Sequence, residues 1–300
     1  MFTKRITVFT PTYNRAYIIQ NLYESLKRQT YMDFEWLVVD DGSTDNTNTL
    51  FEEWMNKDTA VTIRYYKTNN GGKHRAVNYA LDLADGEIFF VVDSDDYLTD
   101  DALEKVNMWF QSIEGMDYLV GIAANKGSST TETVNPLFQT HYLDKSLLEM
   151  NSYMENGKKV IGGERALCFY TEFHRKYRYP EFEGERFETE AVVYNRMAHD
   201  GFKMRFFNDI IWIYEYKQDG LTQAGTSLFL NNPYGYGLWL REKAKFSKDT
   251  IFQQMKMEYT FTCDLADKYS LETISECISA PIELIKLYLF LHKLISRFRR

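Results

Sequence analysis

The pattern that most constrains this chain lies in its first hundred residues. Short apolar runs, each closed by a polar or acidic cluster, alternate there with segments of helical spacing. Residues 6–10 are β-prone and stop at Pro11; residues 18–29 follow with Ile18, Ile19, Leu22 and Leu26 on one helical face. Trp36-Leu37-Val38-Val39 is an unbroken apolar run ending in Asp40-Asp41-Gly42-Ser43, after which Thr44 or Asp45 can cap a helix through Leu50 and Trp54. Residues 61–66 read as a third strand, 75–84 as a helix closed at Gly86, and 88–92 as a fourth strand ending in Asp93-Ser94-Asp95-Asp96. Apolar runs without alternation mark strands buried on both faces. Repeated β-α-β order then predicts an α/β fold, with a mostly parallel central sheet flanked by helices. Such sheets bind ligands beyond the carboxyl ends of their strands. Three of those ends carry Pro11-Thr12-Tyr13-Asn14-Arg15 and the two acidic clusters, facing what should be one crevice.

Signals weaken over residues 115–180. A strand is expected at 166–170, a helix at 187–199 and strand-like runs at 204–216; beyond about 230 the chain reads as helical. The expected organisation is one α/β domain over residues 1–225 and a helical extension over 226–300. Hydrophobic residues make up 44% of the 300, and only 5 are Pro, which suits an ordered protein. The net charge of −8 argues against a nucleic-acid partner. Cys168, Cys263 and Cys277 form neither a CxxC pair nor a disulfide framework. With no signal-peptide pattern and no run of roughly 18 uncharged apolar residues, a cytoplasmic location is expected.

Asp93-Ser94-Asp95-Asp96 sets three mutually repelling carboxylates within four residues. A bound divalent cation explains such a concentration at a strand end, because Mg²⁺ and Mn²⁺ take oxygen ligands. A solvated acidic turn, with Asp96 or Asp100 capping the next helix, explains it equally well. Asp40-Asp41-Gly42 has the same ordinary reading as turn chemistry.

The ordered set of motifs resembles the family 2 glycosyltransferases, inverting enzymes of GT-A fold. The matching text is Thr10-Pro11-Thr12-Tyr13-Asn14-Arg15, then Val38-Val39-Asp40-Asp41-Gly42-Ser43-Thr44-Asp45. Asn69-Asn70-Gly71-Gly72-Lys73-His74-Arg75 follows, and last Asp85-Gly86-Glu87-Ile88 leading into Asp93-Ser94-Asp95-Asp96. The resemblance implies that Pro11, Thr12 and Tyr13 line a base pocket and that Asp41 accepts a hydrogen bond from the base. It implies that Asp93-Ser94-Asp95 is the DxD motif, with Asp95 and Asp96 addressing ribose and metal, Mn²⁺ or Mg²⁺. Lys73 and Arg75 fall where the family places groups near the nucleotide. UDP is the implied carrier, and the implied location of the chemistry is surface-polysaccharide or glycolipid assembly, on a saccharide or lipid-linked acceptor. Two other readings compete: a nucleotide-sugar-binding partner without catalysis, and a nucleotidyltransferase. Residues 11–15 lack the Gly-rich basic loop expected of the latter.

A second block runs from Phe182 to Arg196. Aligning Arg196 and Gly201 with the family's Arg and Gly puts Thr189-Glu190 at the usual Glu-Asp pair. Glu190 is therefore the candidate general base, with Glu188 and Glu185 as rivals. Residues 215–222 resemble a segment that closes over the site in relatives, and no His lies between His199 and His292 to add a metal ligand. The final segment, 281–300, interleaves apolar residues with Lys286, Lys293, Arg297, Arg299 and Arg300. A basic amphipathic helix of this kind can lie on an anionic membrane surface, peripheral on its inner face. Packing on its own domain, or on a second copy in a homo-oligomer, is the alternative.

Overall fold

The computed structural model describes residues 2–57, 60–148, 161, 163–215 and 225–298. Two compact units divide the chain: Met1–Arg178 with Arg196–Gln218, and Tyr179–Asn195 with Asp219–Arg300.

The first unit opens with β1 (Lys4–Thr12), α1 (Gln20–Lys27), β2 (Phe34–Asp40), α2 (Thr47–Lys57), β3 (Ile63–Lys67), α3 (Lys73–Leu83) and β4 (Gly86–Val91). It continues through β5 (Tyr97–Leu98), α4 (Ala102–Gln111), β6 (Leu119–Gly127), β7 (Tyr142–Lys145), β8 (Arg165–Tyr170) and α5 (Thr171–His174). After α6 (Ala191–His199), whose residues divide between the units, comes β9 (Lys203–Ile213). Among the described residues the strands form one sheet in the order β3-β2-β1-β4-β8-β6-β9-β5, with β7 pairing β9. The β3-β2-β1-β4 half is parallel throughout, as the alternating apolar runs predict. β8 runs antiparallel between β4 and β6, and β6 pairs β9 in parallel.

β2 is buried at every position, which is what its unbroken apolar run requires. Trp36 donates its indole N–H to the Thr10 hydroxyl (3.0 Å). One face of the sheet is filled by Tyr23, Trp36, Phe51, Trp54 and Tyr65, with Tyr23 stacked on Trp54 at 4.2 Å and Phe51 on Tyr65 at 4.7 Å. The first strand does not stop at Pro11 as expected but runs on to Thr12. Pro11 pairs in register with Val39 of β2, while the β4 ladder ends at the Phe9–Val91 pair. Alternation turns the missing N–H toward the β4 side, where no rung remains to be lost.

The second unit holds α7 (Thr226–Leu230), α8 (Pro233–Phe246), α9 (Ile251–Leu265), α10 (Leu271–Ile278) and α11 (Ile282–Phe298). A capping box between Thr250 and Gln253 starts α9, and the Ser270 hydroxyl caps α10 by accepting from the Thr273 N–H (3.1 Å). Phe261, Leu265, Ile274, Cys277, Ile278 and Ile285 form its core. Gly237 lets α8 lie directly on α10: a Cβ there would sit 2.2 Å from the Cys277 carbonyl oxygen. Residues 179–195, expected within the first domain, group with these helices. The reason is local: Glu185 binds the first turn of α8, accepting from the Tyr234 (2.7 Å) and Gly235 (2.9 Å) N–H groups.

Candidate active site

The carboxyl ends of β1, β2 and β4 lie side by side, because β1 pairs with both others. At the end of β2, Asp40 is fully buried. It accepts from the Ser43 N–H (2.6 Å) and from the Tyr65 hydroxyl, and so closes the turn into α2. Asp41 points the other way. Its carboxylate accepts from the Gly71 (2.7 Å) and Gly72 (2.8 Å) N–H groups, and its own N–H donates to the Thr12 carbonyl (2.8 Å). Gly72 has φ +97°, a conformation L-residues rarely adopt, and this presents its N–H to Asp41 just before α3 begins. The next residue, Lys73, reaches across to β4 and ion-pairs with Asp93 at 2.7 Å. One chain of contacts, Thr12–Asp41–Gly72–Lys73–Asp93, thus links all three strand ends.

Thr12 is buried, and among the described residues its hydroxyl has no hydrogen-bond partner; Pro11 is half-buried and Tyr13 exposed. Asn14 sits in left-handed conformation (φ +53°) and ties this loop to the β2 turn, its side-chain oxygen accepting from the Thr44 N–H (2.8 Å). Arg75 folds back on the Gly71 carbonyl (2.7 Å). The adjacent Arg15 guanidinium comes within 3.9 Å of Asp95.

The acidic run is not a set of equivalent ligands. Burial alone would raise Asp93, but Lys73 and Lys126 outweigh it and hold its carboxyl at about 2. Ser94 is buried. Asp96 is buried too and accepts from the Trp212 indole N–H (2.7 Å). Burial pushes its carboxyl up to about 7, with Asp93 and Asp95 acting in the same direction and Lys126 only partly offsetting them. Asp95 stands half-buried beside Arg15, its side chain 22% exposed against 31% for Asp93, and differs from Asp93 in lacking a close lysine partner among the described residues. No three His, Cys, Asp or Glu side chains among the described residues converge on a point where they would cage an ion. One carboxylate beside a crevice does fit a hard cation held mainly by phosphate oxygens and water, which is the habit of Mg²⁺.

Sequence reasoning missed Lys126. It ends β6, with its ammonium 3.6 Å from the centre of the Trp212 ring and 3.8 Å from Asp93, so that it lies between Asp93 and the Asp96–Trp212 pair. The available signal was the apolar stretch 119–124 ending in Asn125-Lys126, the same pattern as β2 and β4.

Asp96 carries a prediction for the metal-free protein. Its folded carboxyl keeps the proton to about pH 7, whereas an unfolded aspartate loses it near pH 4. The folded chain therefore binds more protons between those values, and this group lowers stability as pH rises through that window. Asp96→Asn retains an acceptor for Trp212. It should raise stability by roughly 1–4 kcal/mol at pH 8 and change it little near pH 4. Urea melts at the two pH values measure this; an equal effect at both would show that burial does not hold Asp96 neutral.

Glu185, Glu188 and Glu190 belong to the second unit. Glu185 is consumed at the α8 terminus, as described above. Glu188 is buried beside Gly235, and its carboxylate accepts from the Thr189 N–H (2.9 Å). Glu190 stands half-buried immediately before α6, its carbonyl accepting from the Tyr194 N–H (3.2 Å). Of residues 215–222, all but Glu215 lie outside the described residues.

The chain is similar to known proteins in sequence and in fold. The family model "Glycosyl transferase family 2" matches residues 7–169, which include all three strand ends. Glycosyltransferase GlyG of Streptococcus pneumoniae is 33% identical over 112 residues, 37% of this chain and 36% of that protein. Poly(ribitol-phosphate) beta-N-acetylglucosaminyltransferase TarS of Staphylococcus aureus is 39% identical over 102 residues, 33% of this chain and 18% of that protein. The matched stretches thus span about a third or less of these relatives. In three dimensions, residues 1–349 of TarS in complex with UDP-GlcNAc superpose with TM-score 0.58 at 17% identity, covering 97% of this chain and 92% of that one. The mannosyltransferase PcManGT of Pyrobaculum calidifontis, in complex with GDP-Man and Mn²⁺, gives 0.57 at 17% identity, covering 98% and 81%. With more than half its length matched by the family model and the GT-A architecture present, the chain belongs to glycosyl transferase family 2.

Proposed function

We propose that this chain moves a sugar from a nucleoside-diphosphate donor, a UDP-sugar, to an acceptor hydroxyl with inversion at the anomeric carbon. The observation that carries the reading is the chain of contacts linking the ends of β1, β2 and β4, with Thr12 and Asp41 at one side and fixed cations at the other. Thr12 and Asp41, with Pro11 and Tyr13 beside them, are the groups for the base. A buried hydroxyl without a partner costs about 1–3 kcal/mol, which a bound base would recover. The Asp41 carboxylate is held in place by the Gly71 and Gly72 N–H groups at 2.7–2.8 Å and by the Asn70 side-chain amide at 3.2 Å, which fixes its orientation toward a base. Lys73, Arg15 and Lys126 supply positive charge where a diphosphate departs, at no reorganisation cost during the reaction.

A divalent ion, Mn²⁺ or Mg²⁺, would be held by Asp95 together with the donor's own oxygens, and would supply further stabilisation of the leaving diphosphate. Glu190 takes the proton of the acceptor hydroxyl as its oxygen bonds to the anomeric carbon. The bond from that carbon to the diphosphate oxygen breaks on the opposite face, which inverts the centre. TarS, named as a poly(ribitol-phosphate) beta-N-acetylglucosaminyltransferase, supports a role in surface-polysaccharide or glycolipid assembly, with a saccharide or lipid-linked acceptor.

Thermal-shift titration with UDP-, GDP- and dTDP-sugars, with and without Mn²⁺, tests the donor. Analysis of the released product tests the reaction. Stabilisation by UDP-sugars and release of a nucleoside diphosphate are expected. Donor binding without any turnover would favour the non-catalytic reading, and release of inorganic diphosphate would favour nucleotidyl transfer.

A further inference from the structure

The last helix, α11, carries apolar residues on two sides, and among the described residues only one of them is buried. Ile285 and Tyr288 are buried in the core of the second unit, and the Tyr288 hydroxyl donates to Glu258 of α9 (2.9 Å). A second contact to α9 joins the Tyr259 hydroxyl and His292 Nδ1 (2.9 Å). The other side bears Leu287 (47% exposed), Phe290 (59%), Leu291 (39%) and Ile295 (46%). Their spacing of three, four and eight residues sets them in one stripe along the helix, and half-buried Leu294 falls in the same row. α9 adds exposed Ile251 (78%) and Phe252 (76%) at its start. Isolated exposed apolar residues are ordinary; an ordered stripe is not.

The charge beside the stripe identifies its occupant. Lys286 and Lys293, seven residues apart, border the apolar row, and position 297 continues their line. Residues 282–300 hold five basic side chains against the single acid Glu283, in a chain whose net charge is −8. Two copies of this helix paired antiparallel on the stripe would set lysine border against lysine border, a repulsion. An anionic lipid surface turns the same border into an attraction. It also takes up the apolar row at the headgroup–acyl boundary while the Ile285–Tyr288 side stays on the protein. No helix among the described residues is long and apolar enough to cross a membrane, so α11 would lie on the surface.

We propose that the Leu287–Phe290–Leu291–Ile295 stripe of α11, with Lys286 and Lys293 at its border, is a docking face for an anionic membrane surface. The proposal stands apart from the transfer chemistry and is tested without it. The full chain is floated with vesicles of phosphatidylglycerol and phosphatidylcholine in equal parts, and with vesicles of phosphatidylcholine alone. Co-flotation with the first, weakened by salt and absent with the second, is expected. Lys286→Glu with Lys293→Glu should lower partitioning by about 30-fold or more, from roughly fivefold per basic side chain near such a surface. Phe290→Ser with Leu291→Ser should abolish it. All four side chains are exposed, so thermal melts should match the parent chain; the salt series and the lysine pair decide the question if the apolar pair does not fold. Failure to float with anionic vesicles overturns the proposal. So does unchanged flotation of the lysine variant, or sedimentation showing a dimer that Phe290→Ser dissociates while no protein floats.

Discussion

Glu190→Gln is expected to slow sugar transfer by about 10²–10⁴-fold while donor affinity stays within about twofold, as befits loss of a proton acceptor that does not contact the nucleotide. Gln keeps the shape and hydrogen-bonding reach of Glu but cannot take up the acceptor's proton. The neighbouring carboxylates provide the contrast. Glu185 accepts two backbone N–H bonds at the start of α8, so Glu185→Gln removes a charge from a helix N-terminus and should cost about 1 kcal/mol of stability. Its turnover per folded molecule should be near that of the parent. Glu188→Gln touches a buried side chain beside Gly235 and should likewise be read in stability. Steady-state kinetics with a fixed donor, alongside isothermal donor titration, separates the three. Near-normal turnover of Glu190→Gln would move the base elsewhere. A donor affinity falling in step with rate would make Glu190 a binding residue. Glu190→Asp, which keeps the carboxylate at shorter reach, should recover part of the rate if proton transfer is the role.

The parallel half of the sheet was legible chiefly because β2 and the central parts of β1 and β4 are buried on both faces and end in a polar stop, whereas the edge strand β3 is only half-buried. Trp36-Leu37-Val38-Val39 before Asp40-Asp41 is the clearest case. The order of polar stops also indicated that the three clusters lie near one another, since strand ends in such a sheet share one edge. What could not be read was how charges within the stops are divided. Asp93 and Asp96 look alike in sequence, yet one is held ionised by two lysines and the other is kept neutral by burial against Trp212. Those partners lie on α3, β6 and β9, between 20 and 116 residues away, and no local pattern announces a contact of that separation. Pro11 misled for a related reason. A proline reads as a strand stop, and only the early end of the β4 ladder makes it harmless. The structural commitment of Glu185 and Glu188 was equally hidden, because it depends on where the first turn of α8 lies.

Asp95→Ala should remove the Mn²⁺-dependent part of donor binding, with Kd rising about 100-fold in the presence of the ion and little in its absence. The expectation rests on how the three carboxylates are committed. Asp93 already neutralises Lys73 at 2.7 Å and stands 3.8 Å from Lys126; an ion drawing on it would have to displace one of them. Asp96 holds its proton to about pH 7 and accepts from Trp212, so using it would cost both a deprotonation and an indole bond. Asp95 faces Arg15 only at 3.9 Å, a separation that a divalent ion and its waters can enter. Asp93→Asn should behave differently. Releasing Lys73 and Lys126 from their counter-ion loosens the cations meant for the diphosphate, so donor binding should weaken with and without metal alike. Calorimetric titration of both variants with a UDP-sugar, each with Mn²⁺ and with chelator, reads the difference. If Asp95→Ala binds donor with undiminished metal dependence while Asp93→Asn loses it, the ion sits on Asp93 and the lysines serve another purpose.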